Sequence, residues 1–161
     1  MDESGPRSTQ AEPPLGIFKA RCEEKGRLKL PADFFEYFKK AGVQKVFITT
    51  VDLKQCRVYA KDVWLRNKSI LEKGGEHAKL AQDVALIADL YGAESDVDAQ
   101  GRILIPQELR KELEIEGQPV WIQFFNEHIK VVGEKIHKER LQNALAGLQG
   151  KVEELEKDGF K

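Results

Sequence analysis

The sequence predicts an α+β protein in which two β-β-α-β-β copies pack as one pseudo-symmetric protomer, with a helical link between them and a helix at the C-terminus. Three observations predict this. The run Glu23-Glu24-Lys25-Gly26-Arg27-Leu28-Lys29-Leu30-Pro31 recurs 75 residues later as Asp98-Ala99-Gln100-Gly101-Arg102-Ile103-Leu104-Ile105-Pro106. Two later blocks recur in the same order, Val46-Phe47-Ile48 as Val120-Trp121-Ile122 and Cys56-Arg57-Val58-Tyr59 as Ile129-Lys130-Val131-Val132. Each copy, at about 45 residues, is too small to bury a core alone and is expected to pack against the other.

Residues 1–15 hold Gly5, Pro6, Pro13 and Pro14 and few apolar anchors, which predicts a disordered tail. The first copy spans 17–64. A strand ends near Cys22 and a tight turn follows at Lys25-Gly26, where glycine supplies positive φ. The next strand carries Leu28 and Leu30 on one face. Pro31 suits the first turn of a helix, which carries Phe34, Phe35 and Phe38 and stops near Gly42. Two short strands close the unit. The link, 65–91, reads as two helices. Trp64, Leu65 and Leu71 mark the first, ended by Gly74-Gly75; Leu80, Val84, Ile87 and Tyr91 predict the apolar face of the second. The second copy, 92–135, repeats the pattern with Ile103, Ile105, Leu109 and Leu113, its helix stopping near Gly117. In 136–161, Leu141, Leu145, Leu148, Val152 and Leu155 step by four and three, a heptad-like seam. That seam fits a helix docked on its own core and equally one that joins neighbouring subunits.

The 161 residues carry a net charge of −1 and 33% charged side chains, so a folded core is expected. No stretch approaches the apolar length of a membrane helix and residues 1–14 do not read as a secretory signal; a cytoplasmic protein with no membrane partner is expected. Cys22 and Cys56 form no CxxC and align with Val97 and Ile129, which predicts reduced core residues. His77, His128 and His137 are scattered, so no metal is expected, and no cofactor. A phosphate-binding glycine loop, a GxSxG elbow and paired His-acid motifs are all missing, which speaks against an enzyme.

The charge is uneven. Residues 15–61 hold 11 Lys/Arg against 5 Asp/Glu, whereas residues 93–133 hold 4 against 8. On extended strands Lys19 and Arg21 share one face, as do Arg27 and Lys29, with Lys25 at the hairpin tip. Such alternation fits a solvated strand face. It also fits a basic hairpin that tracks phosphate and reads guanine in the major groove. Arg102, among acids, can be a purely structural member. Glu23 and Asp98, four residues before Arg27 and Arg102, are expected to hold those guanidinium groups across the turn.

The doubled acid-x-x-Gly-Arg strand followed by proline resembles the SpoVT/AbrB swapped-hairpin fold, and two copies joined by a helical link resemble the MraZ family of bacterial transcriptional regulators. The resemblance covers roughly residues 16–140, and its sharpest run is Gly92-Ala93-Glu94 followed by Asp98 to Pro106. It implies a double-domain protomer, a ring-like homo-oligomer, and repression of the division and cell-wall gene cluster, including the protein's own promoter. The implied partner is double-stranded DNA with tandem guanine-rich promoter repeats, which places the protein at the nucleoid. Lys19, Arg21, Lys25, Arg27, Lys29 and Arg102 are the implied DNA contacts. The sequence departs from the family pattern at Glu23, where aspartate is usual, and at Phe35, where arginine is usual. It departs again across Leu80–Tyr91, which holds no basic residue. The alternative is an oligomeric, antitoxin-like protein-interaction scaffold with little specific DNA binding, its acidic second copy serving as the partner surface.

Overall fold

The computed structural model describes residues 11–161. The predicted tail falls largely on 1–10, outside the described residues; 11–15 carry no regular element. The first copy contributes β1 (Ile17–Arg21), β2 (Arg27–Lys29), α1 (Ala32–Ala41), β3 (Lys45–Thr49) and β4 (Cys56–Ala60). The link forms α2 (Lys61–Leu71) and α3 (Ala78–Tyr91). The second copy contributes β5 (Ala93–Asp96), β6 (Arg102–Leu104), α4 (Gln107–Leu113), β7 (Pro119–Phe125) and β8 (His128–Gly133). The chain ends in α5 (Glu134–Leu145) and α6 (Leu148–Glu156).

The two copies exchange strands. The main sheet has the order β1-β7-β8-β4-β3-β5, so β1 of the first copy caps the second copy's hairpin and β5 of the second caps the first's. A separate ribbon pairs β2 with β6. Every cross-copy register is its own mirror under the repeat. Phe18↔Ile122 answers Ala93↔Ile48; Arg27↔Leu104 answers Lys29↔Arg102; Cys56↔Val131 answers Val58↔Ile129. A pseudo-twofold axis therefore passes between β4 and β8 and between β2 and β6. The exchange explains why neither copy needs to bury its own surface: each completes the other's sheet.

One core lies between the inner face of the sheet and a layer made of the ribbon, α1 and α4. It contains Leu28, Leu30, Phe34, Phe38, Val46, Ile48, Val58, Ile103, Ile105, Leu109, Val120, Ile122, Ile129 and Val131, the period-two and helical positions expected from the sequence. Cys22 and Cys56 are buried in it as free thiols, and burial pushes the Cys22 thiol up to about 11 and the Cys56 thiol higher still. Such thiols stay protonated and inert. Helices α2, α3 and α5 cover the sheet's outer face.

Three elements differ from expectation. In α3 the buried residues are Ala81 and Ala88, while Leu80 is exposed and Val84, Ile87 and Tyr91 are half-buried. Small side chains let α3 approach β3 closely enough for Thr49 Oγ1 to donate to the Ala88 carbonyl at 2.6 Å. The C-terminal helix is broken: Ala146 is extended and Gly147 takes φ +66°, and the Lys151 ammonium donates to the carbonyls of Asn143 and Ala144 at the end of α5. The second copy's helix stops at Leu113, before Gly117, because Glu114 takes the left-handed cap.

Candidate nucleic-acid interface

The ribbon gathers part of the predicted set. Leu28 and Ile103 point into the core, so period two turns Arg27 and Lys29 of β2, with Arg102 and Leu104 of β6, to the opposite, outward face. Three cations from two copies thus share one short, two-stranded surface. Arg27 and Lys29 are exposed; Arg102 keeps 26% of its side-chain area. Lys19 and Arg21 lie elsewhere. They sit on β1 facing away from Phe18 and Ala20, on the far side of the core from the ribbon. Lys19 Nζ stands 5.4 Å over the Trp121 ring, and Arg21 Nη1 donates to the Gly117 carbonyl at 2.6 Å. The five first-copy residues predicted to contact DNA therefore form two groups.

Strand exchange also redirects the carboxylates. Glu23 reaches Arg102 of the other copy, with Oε1 3.8 Å from Nε, instead of Arg27. The Asp98 carboxylate does not clasp a guanidinium: its Oδ1 accepts the backbone N–H groups of Gln100 at 2.8 Å and Arg102 at 2.9 Å. Those amide bonds, the Arg102 one foremost, hold the Asp98 carboxyl below its ordinary value, with lesser help from the charges of Arg102 and Arg27. An aspartate is short enough to fold back on its own turn, whereas the longer Glu23 extends across the ribbon. The Arg102 guanidinium also donates to Gln100 Oε1.

Strand exchange sets acids of the second copy beside Arg27 of the first. A shallow groove beside Arg27 is lined by Glu94, Asp96 and Asp98, all from the acidic copy. Two of these acids are already engaged, Asp96 with Lys45 at 2.8 Å and Glu94 with Lys61 at 2.9 Å. Asp98 is committed to its turn. Arg27 is therefore the ribbon arginine with neither a close ion pair nor burial among the described residues.

The tip that carries Lys25 is anchored by the second copy, which the sequence did not announce. Gly26 takes φ +89°, and a Cβ there would run into the Arg110 guanidinium. Arg110 keeps only 9% of its side-chain area. It donates from Nε to Glu116 Oε1 at 2.8 Å and from Nη1 to the Ile105 carbonyl. Glu116 Oε2 accepts the Lys25 backbone N–H at 3.1 Å. Arg110 first and the Lys25 amide second hold the Glu116 carboxyl below the usual carboxylate range. The equivalent tip at Gly101, φ +81°, rests on Phe35, whose Cγ would lie 2.8 Å from an added Cβ. Phe35 is the repeat counterpart of Arg110, and Ala41 that of Glu116. The one trace of the anchor in the sequence is this mismatch, an arginine and a glutamate in one copy aligned with a phenylalanine and an alanine in the other.

Two copies that exchange β-strands around a pseudo-twofold, and a basic two-stranded ribbon at their junction, define a double swapped-hairpin protein. No family model matches the chain. Curated relatives do. The transcriptional regulator MraZ of Koribacter versatilis is 31% identical over 130 residues, which covers 80% of this chain and 88% of the relative. That of Acidobacterium capsulatum is 29% identical over 127 residues, covering 79% and 86%. That of Roseiflexus castenholzii is 30% identical over 138 residues, covering 83% and 87%. The chain belongs to the MraZ family of transcriptional regulators.

Proposed function

We propose that the protein is a sequence-specific DNA-binding transcriptional regulator, acting at the nucleoid in the cytoplasm, and that the β2–β6 ribbon is its reading surface. The observation that carries this reading is the outward row of Arg27, Lys29 and Arg102 on a two-stranded ribbon, an element of a size the major groove admits. Lys25 at the anchored tip supplies phosphate contact, and Arg27 pairs with guanine O6 and N7. Lys19 and Arg21, across the core, meet a flanking phosphate or none. Arg102, drawn to Glu23, positions the ribbon more than it reads. Glu23 and Asp98 fix the ribbon's arginine and its turn respectively.

The regulator acts as a ring-like homo-oligomer on tandem guanine-rich repeats of its own promoter and represses the division and cell-wall gene cluster. An oligomer is favoured by Leu141, Leu145, Leu148 and Leu155, each about half exposed on the two terminal helices. Among the described residues no helix is long and apolar enough to cross a membrane, and no group of His, Cys, Asp and Glu is placed to hold a metal.

The test is a competition binding assay with labelled promoter DNA carrying tandem guanine-rich repeats. Binding that survives a large excess of scrambled duplex supports the reading. Binding displaced equally by specific and scrambled competitor would favour the protein-interaction scaffold instead.

A further inference from the structure

The outer face of the main sheet contains a row of side chains that neither the ribbon nor the core uses. Strand registers place Ile17 beside Gln123, Gln123 beside Lys130, Lys130 beside Arg57 and Arg57 beside Thr49. On one flank α5 covers the neighbouring row, where His137 stacks on Trp121 at 4.4 Å. On the other flank Trp64 of α2 covers Phe47 and Tyr59. The row between forms the floor of a trench with two cations directly opposite each other at its centre. Like charges opposed across strands destabilise a sheet unless something compensates them.

Among the described residues no ion pair does so. Arg57 donates from Nη1 to the Tyr59 hydroxyl at 2.9 Å, and its Nε is buried without a partner. The Lys130 ammonium lies 4.4 Å over the Phe125 ring. Arg140 of α5 adds a third positive charge, and Asp52 is the carboxylate that acts on Lys130 in the opposite sense. Asp52 Oδ1 is occupied by the backbone N–H groups of Lys54 and Gln55. Beside Lys130 and Arg140 the trench opens into a cavity of about 180 Å³ floored by Ile17, Trp121 and Val132 and walled by Leu141 of α5, with no acidic side chain in its lining.

We propose that this trench binds a small organic anion, a carboxylate or phosphate monoester with a compact apolar body. The acidic head sits against Lys130 and Arg140, and the body lies on Trp121 and Ile17. The head supplies the negative charge the opposed cations lack, and the floor supplies the apolar contact. The site stands on the outer sheet face, across the core from the ribbon, and does not depend on the DNA reading.

The test uses the full chain labelled with fluorotryptophan, whose two tryptophans, Trp64 and Trp121, give separate fluorine NMR signals. Phenyl phosphate is the probe, with inorganic phosphate as the head alone and benzyl alcohol as the body alone. The expected result is a saturable shift of the Trp121 signal with phenyl phosphate and none of the Trp64 signal. Inorganic phosphate should compete, and benzyl alcohol should bind at least tenfold more weakly. Lys130→Met should weaken binding at least tenfold with a melting temperature no lower than the parent's, because it removes one of two opposed charges. Arg140→Ala, on the exposed side of α5, should weaken it several-fold. No Trp121 shift, equal binding of benzyl alcohol, or affinity unchanged in both variants would overturn the proposal.

Discussion

Gly26 and Gly42 separate two costs that glycine substitutions usually mix. Both take positive φ, but an added Cβ at Gly42 meets nothing within 4 Å, whereas at Gly26 it meets the Arg110 guanidinium. Gly42→Ala should therefore cost only the left-handed backbone, about 1–2 kcal/mol. Gly26→Ala should cost more, about 1–3 kcal/mol beyond that, because a buried cation must leave Glu116 and the Ile105 carbonyl. Urea denaturation of the two variants measures the difference. His128 offers a pH test. Burial, with lesser help from Arg57 and Lys130, lowers its imidazole to about 4, against the opposing bond to the Asn126 carbonyl. The unfolded chain binds this proton more readily than the folded one. Stability should be full above about pH 6.5 and fall as pH drops toward 4, by about 3 kcal/mol from this residue. His128→Gln should flatten that slope in urea melts at stepped pH.

At the scale of elements, local pattern carried far. Leu28 and Leu30, Ile103 and Ile105, and the Pro31 and Pro106 helix starts occupy the positions their spacing implies, because alternation and capping act through neighbouring residues. What stayed hidden depends on which strand lies beside which. Glu23 looked paired with Arg27 because the turn brings them close in sequence; strand exchange hands it to Arg102. The acids of the second copy are far from Arg27 in the sequence, yet β5 and the Asp98 turn stand beside it. The anchor at Arg110 and Glu116 likewise needs both copies in place. In α3 periodicity pointed to Leu80, Val84, Ile87 and Tyr91, of which the last three are half-buried, but the fully packed positions are Ala81 and Ala88, because close approach to β3 requires small residues. The break at Gly147 splits the leucine seam between α5 and α6 and leaves its leucines in solvent. Leu141→Lys combined with Leu148→Lys should leave the monomer fold intact and reduce the particle mass in light scattering. An unchanged mass would place the subunit contacts elsewhere.

For the molecule as a whole, the exchange makes one basic two-stranded ribbon out of two unequal copies. The first copy gives an exposed arginine without an ion pair among the described residues and the tip lysine; the second gives the anchor that holds that tip and a partly covered arginine paired with glutamate. Function should follow this division and not the repeat symmetry. The most direct test is a fluorescence anisotropy titration of Arg27→Ala and Arg102→Ala against promoter DNA with tandem guanine-rich repeats, repeated over a series of salt concentrations. Arg27→Ala should weaken binding by about 1–3 kcal/mol for each guanine it no longer pairs, relax the preference for guanine, and lower the salt slope by about one unit for each phosphate it no longer neutralises. Arg102→Ala should weaken binding less and leave the guanine preference in place. An Arg27→Ala variant that binds like the parent protein, on specific and scrambled DNA alike, would contradict the assignment of the ribbon.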